Sequence, residues 1–377
     1  MELFAVSQPG LEEVTRKELE DLGIEGKAVP GGVLFSGGLR EIYLTNLWLR
    51  SATRVLLRLC SFRALHFAEL VRKAKRCKWE KFISPNLPVK FRVTSRRSKL
   101  YHTKGIEERI LRAIEERLGF EPRVARFEDE GTSIVVRVEN NVFTISVNTS
   151  GAPLYKRGYR VVETEAPLRE NIAAGVILMS NWRGEIPLID PFCGSGTIPI
   201  EGALIASNTP PGKNRKFAFM EWKSFDEELW NELLEEAESK RKEINVPIMG
   251  FDIEPKAVEA SLKNAEAAGV SKFVEFKNLS LPEIKMERVL IVTNPPYGVR
   301  LSERKLGEIY ARFGEWVEKN FKYYSVYFLS PSRRLAERTL LNFELLTYLS
   351  NGGIRVGLYR ASNFPTIMDR NYSEVQD

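Results

Sequence analysis

Apolar and polar positions follow two rhythms along this chain, and the change comes near residue 169. Before it, short apolar or alternating runs at Leu3–Val6, Glu25–Val29, Val33–Phe35 and Ala52–Phe62 predict strands. Between them, Leu11, Val14, Leu19 and Leu22 recur at helical spacing within Pro9–Leu22, with Gly23 as a stop, and Leu39–Leu49 repeats the pattern. The order β-α-β-β-α-β is a ferredoxin-like split βαβ. A second α+β set follows. Phe67–Arg76 and Gly105–Leu118 read as helices and Val89–Thr94 as a strand. Ile134–Val138 and Val142–Val147 flank the turn pair Asn140-Asn141, a hairpin signal.

A connector punctuated by Gly151, Pro153, Gly158 and Pro167 comes next. From Arg169 onward, helices over Glu170–Trp182, Ile198–Ser207 and Ala257–Ala268 alternate with buried strands at Ile186–Ile189, Val246–Phe251, Val289–Val292 and Tyr323–Leu329. This is the pattern of an α/β, doubly wound and mostly parallel sheet. Phe343–Leu349 and Ile354–Tyr359, joined by Asn351-Gly352-Gly353, predict an antiparallel hairpin that closes it. Asp226–Glu243, rich in Glu and Lys, reads as an exposed helix inserted between strands. The expected domains are 1–63, 64–150, a linker over 151–168, and 169–377.

Composition narrows the function. In 377 residues no apolar run approaches the roughly 18 that a membrane span needs, and the N-terminus has no basic lead before an apolar stretch. Three cysteines, Cys60, Cys77 and Cys193, are too few for a disulfide framework, so a cytoplasmic location is expected. With His66 and His102 as the only histidines, a His-ligated metal site or a Ser–His–Asp triad has little material, and no metal is expected. Charge is divided. Residues 1–160 hold 29 Lys and Arg against 19 Asp and Glu, while the rest hold 27 against 31. A basic module joined to a mildly acidic one suits a chain that grips a polyanion with one part and does chemistry with the other.

Three motifs carry that chemistry. Asp190-Pro191-Phe192-Cys193-Gly194-Ser195-Gly196-Thr197 lies between a strand and a helix. Its glycines permit a sharp turn and close ligand approach. The third glycine of a dinucleotide fingerprint is replaced by Pro199, which disfavours nicotinamide and flavin. Gly250-Phe251-Asp252-Ile253-Glu254 closes the next strand. A carboxylate there can accept from both ribose hydroxyls of a nucleoside, or it can simply cap the following helix. Asn294-Pro295-Pro296-Tyr297 ends a third strand. Its prolines fix the backbone, so the Asn294 side-chain oxygen and the Pro295 carbonyl become rigid acceptors, and Tyr297 offers a ring for stacking. Two such acceptors can hold an exocyclic amine by its hydrogens and aim its lone pair at a methyl group. A thiol nucleophile is not needed for attack by nitrogen, so Cys193 is not expected to react covalently.

With these motifs in this order, residues 169–377 resemble the Rossmann-fold S-adenosylmethionine-dependent N-methyltransferases. Leu154-Tyr155-Lys156-Arg157-Gly158-Tyr159-Arg160 followed by Pro167-Leu168-Arg169-Glu170 resembles a hallmark of the THUMP-containing RNA guanine-N2 methyltransferases. Phe91-Arg92-Val93-Thr94-Ser95-Arg96-Arg97-Ser98-Lys99, then His102, resembles the THUMP core. The likeness is greatest to the archaeal tRNA enzymes acting at acceptor-stem position 6, with tRNA position-10 and rRNA enzymes as relatives. It implies a class I methyltransferase domain preceded by a ferredoxin-like domain and a THUMP domain. It implies S-adenosylmethionine as cofactor and the acceptor stem and 3′ end of tRNA as partner, with no membrane and no protein partner required. Asp190, Cys193, Gly194, Ser195, Gly196 and Thr197 would line the methionine part of the cofactor, and Arg169 its carboxylate. Asp252 would hold the ribose and Ile253 the adenine. Relatives often carry an acidic residue where Asn278-Leu279 stands here, so the Asn278 oxygen would take over the adenine amine. Asn294 and Pro295 would hold the guanine N2 amine of a flipped base, with Tyr297 stacked on it. Arg92, Arg96, Arg97 and Lys99 would touch the RNA backbone. The alternatives are another amine, in DNA adenine or protein glutamine, and a non-catalytic RNA-binding protein.

Overall fold

The computed structural model describes residues 1–125, 131–163, 167–297 and 302–364, which divide into two compact units. The first unit comprises 1–7, 16–154 and 215–235. Its strands are β1 (Glu2–Ser7), β2 (Gly26–Val29), β3 (Gly32–Ser36), β4 (Ala52–Arg63), β5 (Val89–Arg96), β6 (Thr132–Glu139) and β7 (Val142–Asn148). They form one sheet in the order β2-β3-β1-β4-β7-β6-β5. The long strand β4 is the joint, antiparallel to β1 on one edge and to β7 on the other. The ferredoxin-like and second α+β halves expected from the sequence therefore share a single sheet. Their helices are α1 (Glu12–Asp21), α2 (Leu39–Trp48), α3 (Phe67–Ala74) and α4 (Thr103–Leu118). His102 caps α4, its Nδ1 accepting from the Gly105 N–H at 2.9 Å.

Two features of this unit depart from expectation. Cys60 of β4 and Cys77, after α3, form a disulfide with their Cα atoms 5.8 Å apart. A cysteine count cannot reveal which strand end meets which helix end. The second concerns the supposedly exposed helix over 226–243. Its Trp230 and Leu233 are buried. Trp230 meets Phe219 and Tyr43 with ring centroids 5.6 and 6.1 Å apart, and Phe219 stacks on Tyr43 at 4.5 Å. An aromatic anchor lies beneath a surface of Glu and Lys, and the polar majority masks it in the sequence.

The second unit comprises 8–15, 155–214 and 236–377, as far as it is described. Its helices are α5 (Glu170–Met179), α6 (Thr197–Ala206), the end of α7 (Glu227–Ser239), α8 (Pro255–Ala267) and α9 (Glu303–Asn320). Its strands are β8 (Leu188–Asp190), β9 (Ile248–Asp252), β10 (Glu275–Asn278), β11 (Met286–Thr293), β12 (Phe321–Ser330), β13 (Phe343–Asn351) and β14 (Ile354–Ser362). They lie in the order β10-β9-β8-β11-β12-β14-β13. Neighbours are parallel from β10 to β12, and the β13–β14 hairpin closes the sheet antiparallel to β12. One core cluster joins α5, α6 and α8 to the sheet, and another joins α9 to it. Helices thus cover both faces, which is why β8 and β11 read as continuous apolar runs. Strand order reverses between β8 and β11, the crevice where open α/β sheets hold ligands. Among the described residues no helix is long and apolar enough to cross a membrane.

Candidate active site

The glycine-rich turn leaves β8 at Asp190 and enters α6 at Thr197. Gly194 and Gly196 adopt φ of +53° and +81°, a region costly for any residue with a Cβ. Gly196 is doubly constrained, because a Cβ there would come within 2.9 Å of Phe276. Asp190 is buried, and its Oδ1 accepts from Thr293 Oγ1 at 2.6 Å and from the Phe192 N–H at 3.1 Å. Burial pushes this carboxyl up to about 7, although both hydrogen bonds favour its ionised form. The Thr293 contact ties the end of β11 to the end of β8, so the glycine turn and the Asn-Pro-Pro-Tyr segment meet at the crevice. Burial raises the Cys193 thiol well above its usual range, which suits a core residue and no nucleophile.

At the end of β9, Asp252 accepts from the Gly194 N–H and the Glu254 N–H, both at 2.9 Å. It therefore shapes the glycine turn as well as starting α8. Beside it Ile253 and Leu279 are 67% and 45% exposed, two apolar side chains left in water on adjacent strand ends. A planar apolar ring such as adenine fits there. Asn278 donates its amide hydrogens to the carbonyls of Asp252 and Ile253 at 2.9 and 2.8 Å, so the polar atom it retains for a ligand is an acceptor oxygen. Arg169 is exposed, its guanidinium 5.1 Å from the centroid of the Tyr155 ring.

The amine side of the site is Asn294 to Tyr297. Asn294 Oδ1 is buried and has no hydrogen-bond partner. An unpaired buried acceptor costs about 1–3 kcal/mol, so this oxygen awaits a donor. The Tyr297 hydroxyl accepts from Asn351 Nδ2 at 2.9 Å, and its ring packs partly into the core. Burial raises its pKa.

Several residues to which the sequence assigned no role hold the site together. Arg160 donates to Ser195 Oγ and Thr197 Oγ1, both at 3.0 Å, to the Leu168 carbonyl, and to Glu170 at 2.8 Å. The hydroxyls of Ser195 and Thr197, expected to meet the cofactor, are thus engaged by this guanidinium, and what the turn keeps for a ligand is backbone. Asn264 of α8 bridges the same turn to the connector. Its oxygen accepts from the N–H groups of Val161 and Val162, and its nitrogen donates to the Val162 and Ser195 carbonyls. Beneath them, buried Arg157 pairs with buried Glu201 at 3.4 Å, and Tyr159 donates to Glu201 at 3.0 Å. The connector is a wall of the site rather than a tether. In the first unit, Arg92 and Arg96 share one face of the edge strand β5, two pleats apart, with Arg97 and Lys99 just beyond, and all four are exposed.

Comparison with known proteins bears on this arrangement. Residues 157–347 match a family described as RMKL-like, methyltransferase domain. Residues 2–56 match the RlmL ferredoxin-like domain, and 65–148 match the THUMP domain. The protein named "Putative RNA methyltransferase YpsC" of Bacillus subtilis (strain 168) is 36% identical, with 95% of each chain covered. The ribosomal RNA large subunit methyltransferase K/L of Methylococcus capsulatus is 35% identical over 95% of this chain, but the chain spans only 49% of that protein. Among solved structures, SMU.472 in complex with SAH superposes with a TM-score of 0.86 at 32% identity, covering 97% of this chain and 98% of that one. A structure titled as a predicted N6-adenine-specific DNA methylase from Listeria monocytogenes gives 0.86 at 31% identity, covering 96% and 95%.

Proposed function

Because the chain belongs to the RMKL-like methyltransferase family, with a THUMP and an RlmL-type ferredoxin-like domain alongside, we propose that it methylates the N2 amine of a guanosine in RNA, using S-adenosylmethionine. The observation that carries this reading is the buried, unpartnered oxygen of Asn294, at the crevice that the Asp190–Thr293 hydrogen bond ties to the glycine turn. The cofactor reading rests on the family, on the SAH complex of a relative, and on the fit of the exposed apolar pair Ile253 and Leu279.

When bound, S-adenosylmethionine supplies a sulfonium methyl, which the amine nitrogen takes up as the carbon–sulfur bond breaks and a proton passes to water. The chain's own part is positional. Asn294 Oδ1 and the Pro295 carbonyl accept the two amine hydrogens and aim the lone pair. They also stabilise the positive charge that develops on nitrogen. Tyr297 stacks on the base. A paired guanosine leaves the duplex to reach them. Arg92, Arg96, Arg97 and Lys99 hold the RNA backbone without reading sequence.

Large-subunit rRNA is the RNA we favour, because relatives at 30% identity or more include enzymes named for it. The tRNA acceptor stem that the sequence resemblance implies is the other RNA to test. The relative titled as a DNA adenine methylase makes adenine N6 in DNA the competing reading. Labelled methyl transfer to rRNA, tRNA and duplex DNA, followed by mass mapping of the product nucleotide, separates all three. N2-methylguanosine in rRNA is the expected product, and N6-methyladenine would end the proposal. Asn294→Ala is expected to bind S-adenosylhomocysteine by calorimetry within about threefold of the wild type and to lose about 10²–10³ in rate, as for loss of one oriented polar group in a transition state. Full activity in that variant, or loss of cofactor binding along with activity, would contradict the role of Asn294.

A further inference from the structure

Asn351 has the same orphaned chemistry as Asn294. Its Oδ1 is buried without a hydrogen-bond partner, and the residue is 5% exposed. Its Nδ2 donates to the Tyr297 hydroxyl at 2.9 Å, and Tyr297 belongs to the same short segment as Asn294. Asn294 and Asn351 thus flank one tyrosine, and each leaves a buried acceptor unsatisfied.

The sheet register puts Asn351 at the ligand edge. β14 runs antiparallel to β12, and Ser330, the last residue of β12, pairs with Gly357. Residues 351–354 therefore project past the carboxyl ends of the parallel strands, the edge at which such sheets bind ligands. Asn351 pairs with Ile354 across the turn of Gly352 and Gly353, whose φ values are +57° and +85°. Gln8 fixes that turn from the side, donating to the Ser350 carbonyl at 2.8 Å.

We infer that Asn351 is a specificity-determining residue whose side-chain oxygen accepts the N1–H of the target guanine, next to the N2 amine held by Asn294. This rests on the guanosine reading above. Guanine presents N1–H and N2–H₂ side by side on its Watson–Crick edge, a row of donors that needs a row of acceptors. Adenine presents an amine beside the N1 lone pair. Against adenine the Asn351 oxygen faces a second acceptor and stays unpaired. Asn294 alone would accept either amine, and Asn351 makes the choice.

The test uses the full chain and synthetic RNA carrying guanine or 2,6-diaminopurine at the mapped target. The analogue keeps the 2-amine and replaces N1–H by a lone pair. The wild type is expected to favour guanine by about 10–100-fold in kcat/KM, the value of one buried hydrogen bond with an unpaired partner as the alternative. Asn351→Leu should bring that ratio to within about threefold, and Asn351→Ala serves in its place if the leucine variant does not fold. Asn351→Asp keeps an acceptor and should keep the preference. S-adenosylhomocysteine affinity should stay unchanged in each folded variant. If Asn351→Leu and Asn351→Ala still methylate guanosine with the wild-type ratio, Asn351 merely positions Tyr297 and the inference is overturned. Loss of the preference in Asn351→Asp overturns it as well. If the wild type methylates no guanosine in any RNA, the guanosine reading itself has failed.

Discussion

A carboxyl held near pH 7 by burial responds to any cation placed beside it. Asp190 is such a group, and the methionine ammonium of the cofactor is the cation assigned to its neighbourhood. A positive charge there favours the ionised form, so binding should drive the proton off. The affinity for S-adenosylhomocysteine should therefore rise as pH climbs from about 5 to about 7 and level off above. Asp190→Asn should flatten that slope. Titration calorimetry in buffers of different ionisation enthalpy reads the released proton directly, and a pH-independent wild type would separate Asp190 from the donor. The sign for folding is the opposite. The unliganded fold holds this proton above the ordinary value of 3.8, so the Asp190 contribution to stability is full below about pH 4 and is lost as pH rises through about 7. Asp190, Gly194, Asp252 and Asn294 stand out in the sequence because each belongs to a short motif at a strand end. Thr293 does not, and Asn351 stands out only as part of a hairpin turn. Their partners Asp190 and Tyr297 lie 103 and 54 residues away, and a hydrogen bond across such a separation leaves no local pattern.

Between elements, the glycine turn is held from outside by the connector. Arg160 is 11% exposed and Glu170 6%, so their ion pair is largely removed from water. Removing one partner of a buried pair leaves the other charge uncompensated, at a cost of about 3–5 kcal/mol. Arg160→Ala should lower the stability of the fold and weaken cofactor binding as well, because Ser195 and Thr197 lose the group that fixes them. The double variant Arg160→Ala, Glu170→Gln should recover stability but not affinity. Thermal melts paired with S-adenosylhomocysteine titrations separate the two effects, and joint recovery would reduce Arg160 to a structural role. Most strands of the second sheet were legible because buried parallel strands are short, apolar and spaced by helices, whereas the edge strand β10, with only Phe276 buried, left no such run. The helix α9 has no counterpart among the elements expected from the sequence. Leu306, Tyr310, Phe313 and Val317 do recur at helical spacing, but they are set among charged residues that dilute the signal. Arg160 was visible only as part of a family hallmark, since nothing local shows which loop a guanidinium will hold.

At the scale of the whole chain, sequence order and compact units do not coincide. Residues 8–15 belong with the methyltransferase sheet, and 215–235 belong with the N-terminal sheet. Linear boundaries drawn from composition cannot register such exchanges, because each exchanged segment is shorter than the window over which composition changes. The division of charge survives the exchange. The stretch 51–150, with 21 basic and 11 acidic residues, lies wholly in the first unit, apart from the undescribed 126–130. A polyanion gripped there releases counterions, so affinity for RNA falls with salt at about 0.7–0.9 logarithmic units per phosphate neutralised. Arg96 and Arg97 are exposed at the end of the edge strand β5, and each is assigned one phosphate. Arg96→Glu with Arg97→Glu should weaken RNA binding at low salt and reduce the slope of log K against log salt by about 1.4–1.8. Cofactor affinity, set by the other unit, should not change. Filter binding across a salt series measures the slope. A slope equal to that of the wild type would move the RNA surface away from β5 and onto another basic face of the same unit.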